Sequence, residues 1–333
     1  MRNKILTIIV IIIIIVIGGI YFYQNYKQKD INKYSFKNPV IPDGFFAVDT
    51  EQAKWERNKD GTVKDWNRGL VIEDSIGNQF IWIPVDLENI NYDDIPVKID
   101  SEYTYNIKEF NSENKDENQI LKYGGFYLSR YEAGVSDTMQ ENMTEISSKT
   151  NDIVGKPTSK KERLPWNYIS LKNAKTNAQN MYVTNNVSSD LPTLKQMQYV
   201  CMWLYKAGYD VYNDSSKFGN YSNVNFKFTG YYSENNGMSY EYGKDILKSQ
   251  KNMILSSGST DRNMTNNLYD IAGNLWEYTD DYFQINEKQI MGYYCVGGHY
   301  DNTGDSYLAY SSNLKNVYPL EKVGFRISLF LKN

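Results

Sequence analysis

Two cysteines and one histidine in 333 residues leave little material for thiol or metal chemistry. Cys201 and Cys295 stand far apart, so neither a disulfide framework nor a zinc-spaced cluster of Cys and His can be written on the chain. A lone His299 excludes a three-histidine iron site and equally a two-histidine, one-carboxylate centre. Its plain role is a hydrogen-bonded turn or the rim of a pocket. A glycine-rich phosphate loop and a nucleophile elbow are also missing. Basic clusters are lacking too: 36 Lys and Arg against 40 Asp and Glu give a net charge of -4, with lysines interleaved among Asp, Glu and Asn. That pattern is a solvated face and excludes a sequence-independent grip on nucleic acid. Carboxylates are plentiful, but no spacing singles out a glycosidase-like pair.

What the chain does have is apolar residues, 41% of the total, enough for a substantial core. From Ile5 to Tyr23 they form an almost unbroken run behind Arg2 and Lys4. As a helix it would reach roughly 28 Å, close to the thickness of a bilayer core. The rival, a cleaved signal peptide, finds neither an A-x-A arrangement nor a lipobox cysteine. The expectation is one transmembrane helix at 1–24, with Tyr21, Phe22, Tyr23 and Tyr26 at the interface. A polar linker at 25–40 then leads to a domain at 41–333 on the extracytoplasmic side of the cell membrane.

Strand-like runs occur at Gly44–Val48 and Asn78–Val85, where Pro84 requires an edge or a strand end. These strands and an acidic insertion fill 41–123; the polar stretches 86–118 and 136–163 read as surface loops. Thr193 and Gln196 form a capping box, followed by Met197, Val200, Cys201 and Leu204 at helical spacing, with Gly208 as the stop. Cys201 is then a small core hydrophobe. A second helix starts near Ser170, with Ala174, Ala178 and Met181 on one face and Asn177 and Asn180 outside. Near the end Phe325, Ile327, Leu329 and Leu331 alternate with Arg326, Ser328 and Phe330, the pattern of one strand with an apolar face. Arg326, on the other face, has two readings: a structural ion pair or a ligand contact.

The block Asn267-Leu268-Tyr269-Asp270-Ile271-Ala272-Gly273-Asn274-Leu275-Trp276-Glu277-Tyr278 mixes oxygen donors with a forced bend. Asp270, the carbonyls of Gly273 and Leu275, and Glu277 would make a partial shell for calcium, which takes six to eight oxygens. The competing reading has both carboxylates capping turns or pairing with Arg. On either reading Leu268, Tyr269, Ile271, Leu275 and Trp276 are core.

This block resembles the signature of the formylglycine-generating enzyme, or sulfatase-modifying factor, family. Gly125 to Glu132, Leu191-Pro192-Thr193, Gly297-Gly298 and Gly324-Phe325-Arg326 resemble further motifs of the family in the same order, so the family core spans 124–333. The resemblance implies an α+β, C-type-lectin-like fold and a structural calcium at Asp270, Gly273, Leu275 and Glu277. It also implies a loop after the glycine pair in which two cysteines bind copper and oxidise a substrate cysteine. Here those two positions fall near Asn302 and Tyr307, neither of them a thiol, so copper is not expected. A related branch with the same fold uses iron held by several histidines, which this chain lacks.

With 30 Tyr and 6 Trp, the aromatic content suits a recognition surface. The leading expectation is a non-catalytic module for an extracellular glycan, peptide or protein. Its ligand contacts would come from His299, Tyr300, Asn302, Tyr307, Tyr310 and Arg326. An enzyme of the family with an atypical centre and a purely structural surface protein are the alternatives.

Overall fold

Along Gln79–Pro84 successive side chains enter opposite cores. Ile81 and Ile83 join one apolar cluster, while Phe80 and Trp82 join another. The neighbouring strand repeats the pattern, with Phe126 and Leu128 on the first side and Tyr127 on the second. Side chains of a strand alternate between faces, so a sheet covered on both faces needs a continuous apolar run.

The structure, a computed structural model, describes residues 39–59, 64, 68–85, 119–120, 122–142, 148–184, 186–286, 289–306, 309, 312–315 and 318–332. The apolar run Ile5 to Tyr23, the acidic stretch 86–118, Tyr307 and Tyr310 lie outside the described residues. Among the described residues no helix is long and apolar enough to cross a membrane.

The chain opens with β1 (Phe45–Val48), β2 (Val71–Asp74), β3 (Gln79–Pro84) and β4 (Gly125–Ser129), then α1 (Asp137–Asn142), α2 (Ser148–Asn151), α3 (Leu171–Met181), β5 (Val187–Asp190) and α4 (Leu194–Lys206). There follow β6 (Lys227–Ser233), β7 (Glu241–Leu247), β8 (Ile254–Leu255), β9 (Met264–Thr265) and β10 (Leu268–Tyr269). The last elements are β11 (Trp276–Asn286), β12 (Gln289–Val296), β13 (Ser312–Lys315), β14 (Val323–Phe325) and β15 (Ser328–Leu331). A six-stranded antiparallel sheet runs β1-β2-β3-β4-β15-β5. A second sheet runs β13-β12-β11-β14, with β14 parallel to β11, and a third runs β7-β6-β8. Helices and an antiparallel sheet in separate layers make an α+β fold. Pro84 is the last residue of β3, an interior strand, so its missing N–H falls at a strand end.

Both long helices start at the caps the sequence marks. The Thr193 hydroxyl accepts from Gln196 N at 3.1 Å and the Gln196 side chain accepts from Thr193 N at 3.0 Å. Ser170 caps α3, and Gly208 follows α4 in the left-handed region at φ 96°. Asn177 departs from expectation: it is fully buried, because its amide accepts from Gly155 N and donates to Ile153 O, tying the preceding loop to the helix. The stretch 136–163 is likewise not only surface loop, since Thr158 and Ser159 are buried and Gly134 bridges Thr158 and Pro165.

The closing run is two strands, not one. β14 pairs with β11 while β15 sits between β4 and β5, and the break falls at Arg326-Ile327. Alternation survives the break, since Phe325, Ile327, Leu329 and Leu331 are all buried, and so the sequence pattern conceals the change of sheet.

Asp281 on β11 reaches the start of α4 and accepts from Leu194 N. Burial nevertheless pushes its carboxyl up to about 6. Between the unfolded value near 4 and about 6 the native state therefore holds a proton that the unfolded chain has lost, so this residue's contribution to stability falls as pH rises through that window. Asp281→Asn keeps an acceptor for Leu194 N and removes the titration. Chemical denaturation from pH 4 to 7 should show wild type losing on the order of 2 kcal/mol relative to the variant. Parallel curves would remove Asp281 as the cause.

Candidate functional site

The block singled out in the sequence is built from residues that tolerate positive φ. Asn266, Asn267, Asp270 and Asn274 lie at φ 46°, 69°, 53° and 58°, and Gly273 at 71°. Asn, Asp and Gly adopt the left-handed region at least cost, which explains this composition. Each bend aims a polar group at a different neighbour. The Asn267 amide donates to the carbonyls of Arg68 and Gly69 at 3.0 and 2.9 Å. Asn274 grips Leu255 through both backbone groups, accepts from the Asn220 amide, and donates to Glu132. Leu268, Tyr269, Ile271, Leu275 and Trp276 are buried beneath.

At the centre lies Arg326, fully buried. Its Nε donates to Glu277 at 2.9 and 3.2 Å, and Nη2 stands 2.8 Å from Glu277 Oε1. Nη1 donates to the Ser129 carbonyl at 2.9 Å, and Nη2 also to those of Tyr269 and Asp270 at 2.9 and 3.2 Å. The planar guanidinium thus joins β4, the block and β11 in one stroke. Asp270 accepts from Gly258 N at 2.8 Å and from the Asn263 amide at 3.3 Å. Glu132 accepts from Leu275 N at 3.2 Å. Three buried carboxylates surround one cation. Desolvation, with Asp270 and Glu277 adding to it, holds the Glu132 carboxyl well above the usual carboxylate range. Burial also raises Asp270 and Glu277, against the pull of Arg326.

The loop after the glycine pair is anchored to the same block. Gly297 and Gly298 lie at φ 96° and 76°, and the Gly297 carbonyl accepts from Gly273 N at 2.8 Å and from the Tyr221 hydroxyl at 3.1 Å. His299 and Asn302 close a turn on each other: His299 N donates to Asn302 Oδ1 and Asn302 N to His299 O, both at 2.9 Å. His299 Nδ1 accepts from Asp301 N at 3.1 Å, and its ring meets those of Trp276 and Tyr300 edge-on. Tyr300 is buried and donates to Asn236 Oδ1 at 2.8 Å, which joins the loop to the turn between β6 and β7. Asp301, exposed, pairs with Lys322 at 2.7 Å.

With this geometry in view, comparison with known proteins is informative. The sulfatase-modifying factor enzyme 1-like domain matches residues 96–329, well over half of the chain. The chain belongs to that family. No curated protein matches it. Among solved structures, one titled "Crystal Structure of CarF" matches with 15% identity over 63% of this chain and 87% of the other. At a TM-score of 0.39 that likeness adds nothing to the family assignment.

The sulfatase-modifying-factor-like domain brings His299, Tyr300 and Asn302 into one loop. Arg326 is elsewhere: it is an interior ion pair and offers no donor to an outside ligand. The calcium shell expected at Asp270, Gly273, Leu275 and Glu277 also meets a different arrangement. Glu277 turns both oxygens to Arg326, Asp270 is taken up by Gly258 and Asn263, and a guanidinium stands where a cation would be needed. Among the described residues no three His, Cys, Asp or Glu side chains form a metal-holding group. As arranged, these side chains do not fit calcium. Sequence reasoning missed Glu132 and Asn274 as members of the cluster; the Tyr131-Glu132 pair of the family's opening strand was the available signal.

Cys201 and Cys295 form no disulfide and are buried in different apolar clusters. Burial pushes the Cys201 thiol up to about 12, so it is not a thiolate at neutral pH.

Proposed function

We propose that this chain is a membrane-anchored extracytoplasmic protein whose sulfatase-modifying-factor-like domain binds a ligand and does not oxidise thiols. The observation that carries this reading is the loop itself. At the first position where the resembled enzyme has a copper thiol stands Asn302, whose amide closes the turn with His299. The chain's own thiols are embedded in separate cores and cannot stand side by side on a soft metal. What the loop offers instead is a rim of polar groups over buried rings: exposed Asn236 and Asp301 and half-buried Lys322 above Tyr300, His299 and Trp276. Adaptable polar groups held on a rigid aromatic support suit a recognition surface. The cluster around Arg326 holds this face in place without calcium.

Purified full-length protein given copper and thiol peptides should consume no oxygen, and in a screen of glycans and cell-wall fragments its hits should weaken at least tenfold on Asn236→Ala or Asp301→Ala. Steady oxygen uptake would restore the enzyme reading, and hits indifferent to both substitutions would move the binding face elsewhere. Melting midpoints with millimolar calcium and with chelator should coincide, because a ligand that binds only the native state must raise stability. A calcium-dependent rise would return Asp270 and Glu277 to a ligand role.

A further inference from the structure

Twelve large apolar side chains stand exposed among the described residues, and five of them gather where the chain enters the domain: Val40, Ile41, Phe46, Ile76 and Val183. Single exposed apolar residues are ordinary, whereas a group of them on one surface marks a binding face. The contacts beneath show that the surface is one. Phe45 stands opposite Asp74 across β1 and β2, and its ring lies 5.3 Å from that of Tyr182, the residue after α3. The Tyr182 hydroxyl donates to one carboxylate oxygen of Asp74, and the other accepts from Ile76 N at 3.0 Å. The Asn186 amide donates to Asp43 at 2.9 Å, and the Val40 carbonyl accepts from the Tyr127 hydroxyl at 3.0 Å. Segments 40–46, 74–76 and 182–186 are thus tied to one another, with Val183 and Ile76 the most open of the five at 76% and 60% exposed.

The chain itself limits what can cover this face. Only residues 24–38 separate the apolar run Ile5 to Tyr23 from Pro39, the first described residue. Such a stretch spans at most about 50 Å along any path, so with the run in a bilayer the chain enters the domain within that distance of the lipid. The stretch carries Lys27, Lys29, Lys33 and Lys37 against Asp30 alone. Lys332, exposed, adds a further ammonium beside Val183, donating to the Thr184 carbonyl at 2.9 Å. Lysines clustered next to a membrane segment are drawn to anionic headgroups. A second copy of the chain would bring the same apolar face but also the same positive charge, which a lipid surface instead neutralises.

We propose that Val40, Ile41, Phe46, Ile76 and Val183 form a face that rests on an anionic lipid surface, the bilayer that holds Ile5 to Tyr23. The apolar side chains enter the boundary between headgroups and acyl chains, and the lysines meet the headgroups. This assignment rests on the membrane anchoring proposed above and adds which side of the domain lies against the lipid.

Full-length protein in phosphatidylglycerol vesicles, with a fluorophore on Ile76→Cys or on Leu247→Cys, tests it. Leu247, on β7, is comparably exposed, and both native thiols are buried, so labelling is confined to the new cysteine. Lipids brominated near the headgroup should quench the label at position 76 about threefold more than the label at 247. The excess should roughly halve when Phe46→Ser and Val183→Ser are added, two exposed changes that leave the fold intact, and again in neutral phosphatidylcholine vesicles. Equal quenching at the two positions, an excess unchanged by the serine substitutions, or equal quenching in neutral and anionic vesicles would overturn the assignment. Disulfide-linked dimers through unlabelled Ile76→Cys would also overturn it and give the face to a second copy. If the protein resists alkaline carbonate extraction but position 76 is quenched no more than 247, the lipid face falls and the anchor stands. If carbonate strips the protein from the vesicles, both fall.

Discussion

Replacing Arg326 with methionine should destabilise the domain by about 3–5 kcal/mol, the usual loss when one partner of a buried ion pair is removed. Methionine fills much of the volume, so the loss does not come from a cavity. It comes from Glu277, left as a desolvated carboxylate, and from the carbonyls of Ser129, Tyr269 and Asp270, left without donors. Lysine is not a substitute, because a single ammonium cannot meet Glu277 and three carbonyls spread across a planar fork. Glu277→Gln, which retains an acceptor for Arg326, should cost less than Arg326→Met. Against a total stability of about 5–15 kcal/mol, the arginine variant should show a large fall in its urea midpoint or fail to fold at 37 °C. A loss below about 1 kcal/mol would mean that the cluster is solvated in a way its burial does not indicate.

Gly273→Ala is expected to be nearly as damaging, for a steric reason. A Cβ at this position would lie 2.2 Å from the Asn220 carbonyl oxygen and 2.6 Å from its carbon, and backbone cannot swing aside as a side chain can. Relief requires moving Asn220 away, which breaks the hydrogen bonds from Asn220 N to Ala272 O at 3.1 Å, from Asn274 N to Asn220 O at 2.9 Å, and from Asn220 Nδ2 to Asn274 Oδ1 at 2.9 Å. Three such bonds at about 1 kcal/mol each, plus about 1–2 kcal/mol for a side chain in the left-handed region, give roughly 4 kcal/mol. Gly208→Ala is the control: φ is 96° there, but nothing lies within 4 Å of the added Cβ, so only the conformational cost applies. Equal denaturation midpoints for the two variants would show that packing at Asn220 yields without loss.

The parts of this fold legible in the sequence are those decided within a few residues. The Thr193-Gln196 box and the Ser170 cap are local hydrogen bonds, and Met197, Val200, Cys201 and Leu204 follow from helical spacing. The buried residues of the 268–276 block were readable as apolar positions around an obligatory bend. Partner choice was not readable. Glu277 and Arg326 are 49 residues apart, and a spacing that would suit a cation suits a guanidinium equally well, so only the packing of β11 against β14 distinguishes them. Asn177 looked external because it is an amide, whereas the loop that crosses it supplies both of its partners. The division of the closing run between two sheets was hidden for a related reason: a residue that changes sheets can keep the alternation of one strand.

That division bears on how the molecule is made. During synthesis Val323–Leu331 emerges after the other described strands, yet it supplies the strand between β4 and β5, the strand parallel to β11, and the guanidinium that Glu132, Asp270 and Glu277 surround. A nascent chain lacking this segment carries unpaired strand edges and a carboxylate cluster with no countercharge. Such a chain can collapse but cannot close, and it presents the edges through which chains stick to one another. The places of β15 between β4 and β5 and of β14 beside β11 are therefore filled only once this segment is made, and until then those edges stay open to other copies of the chain.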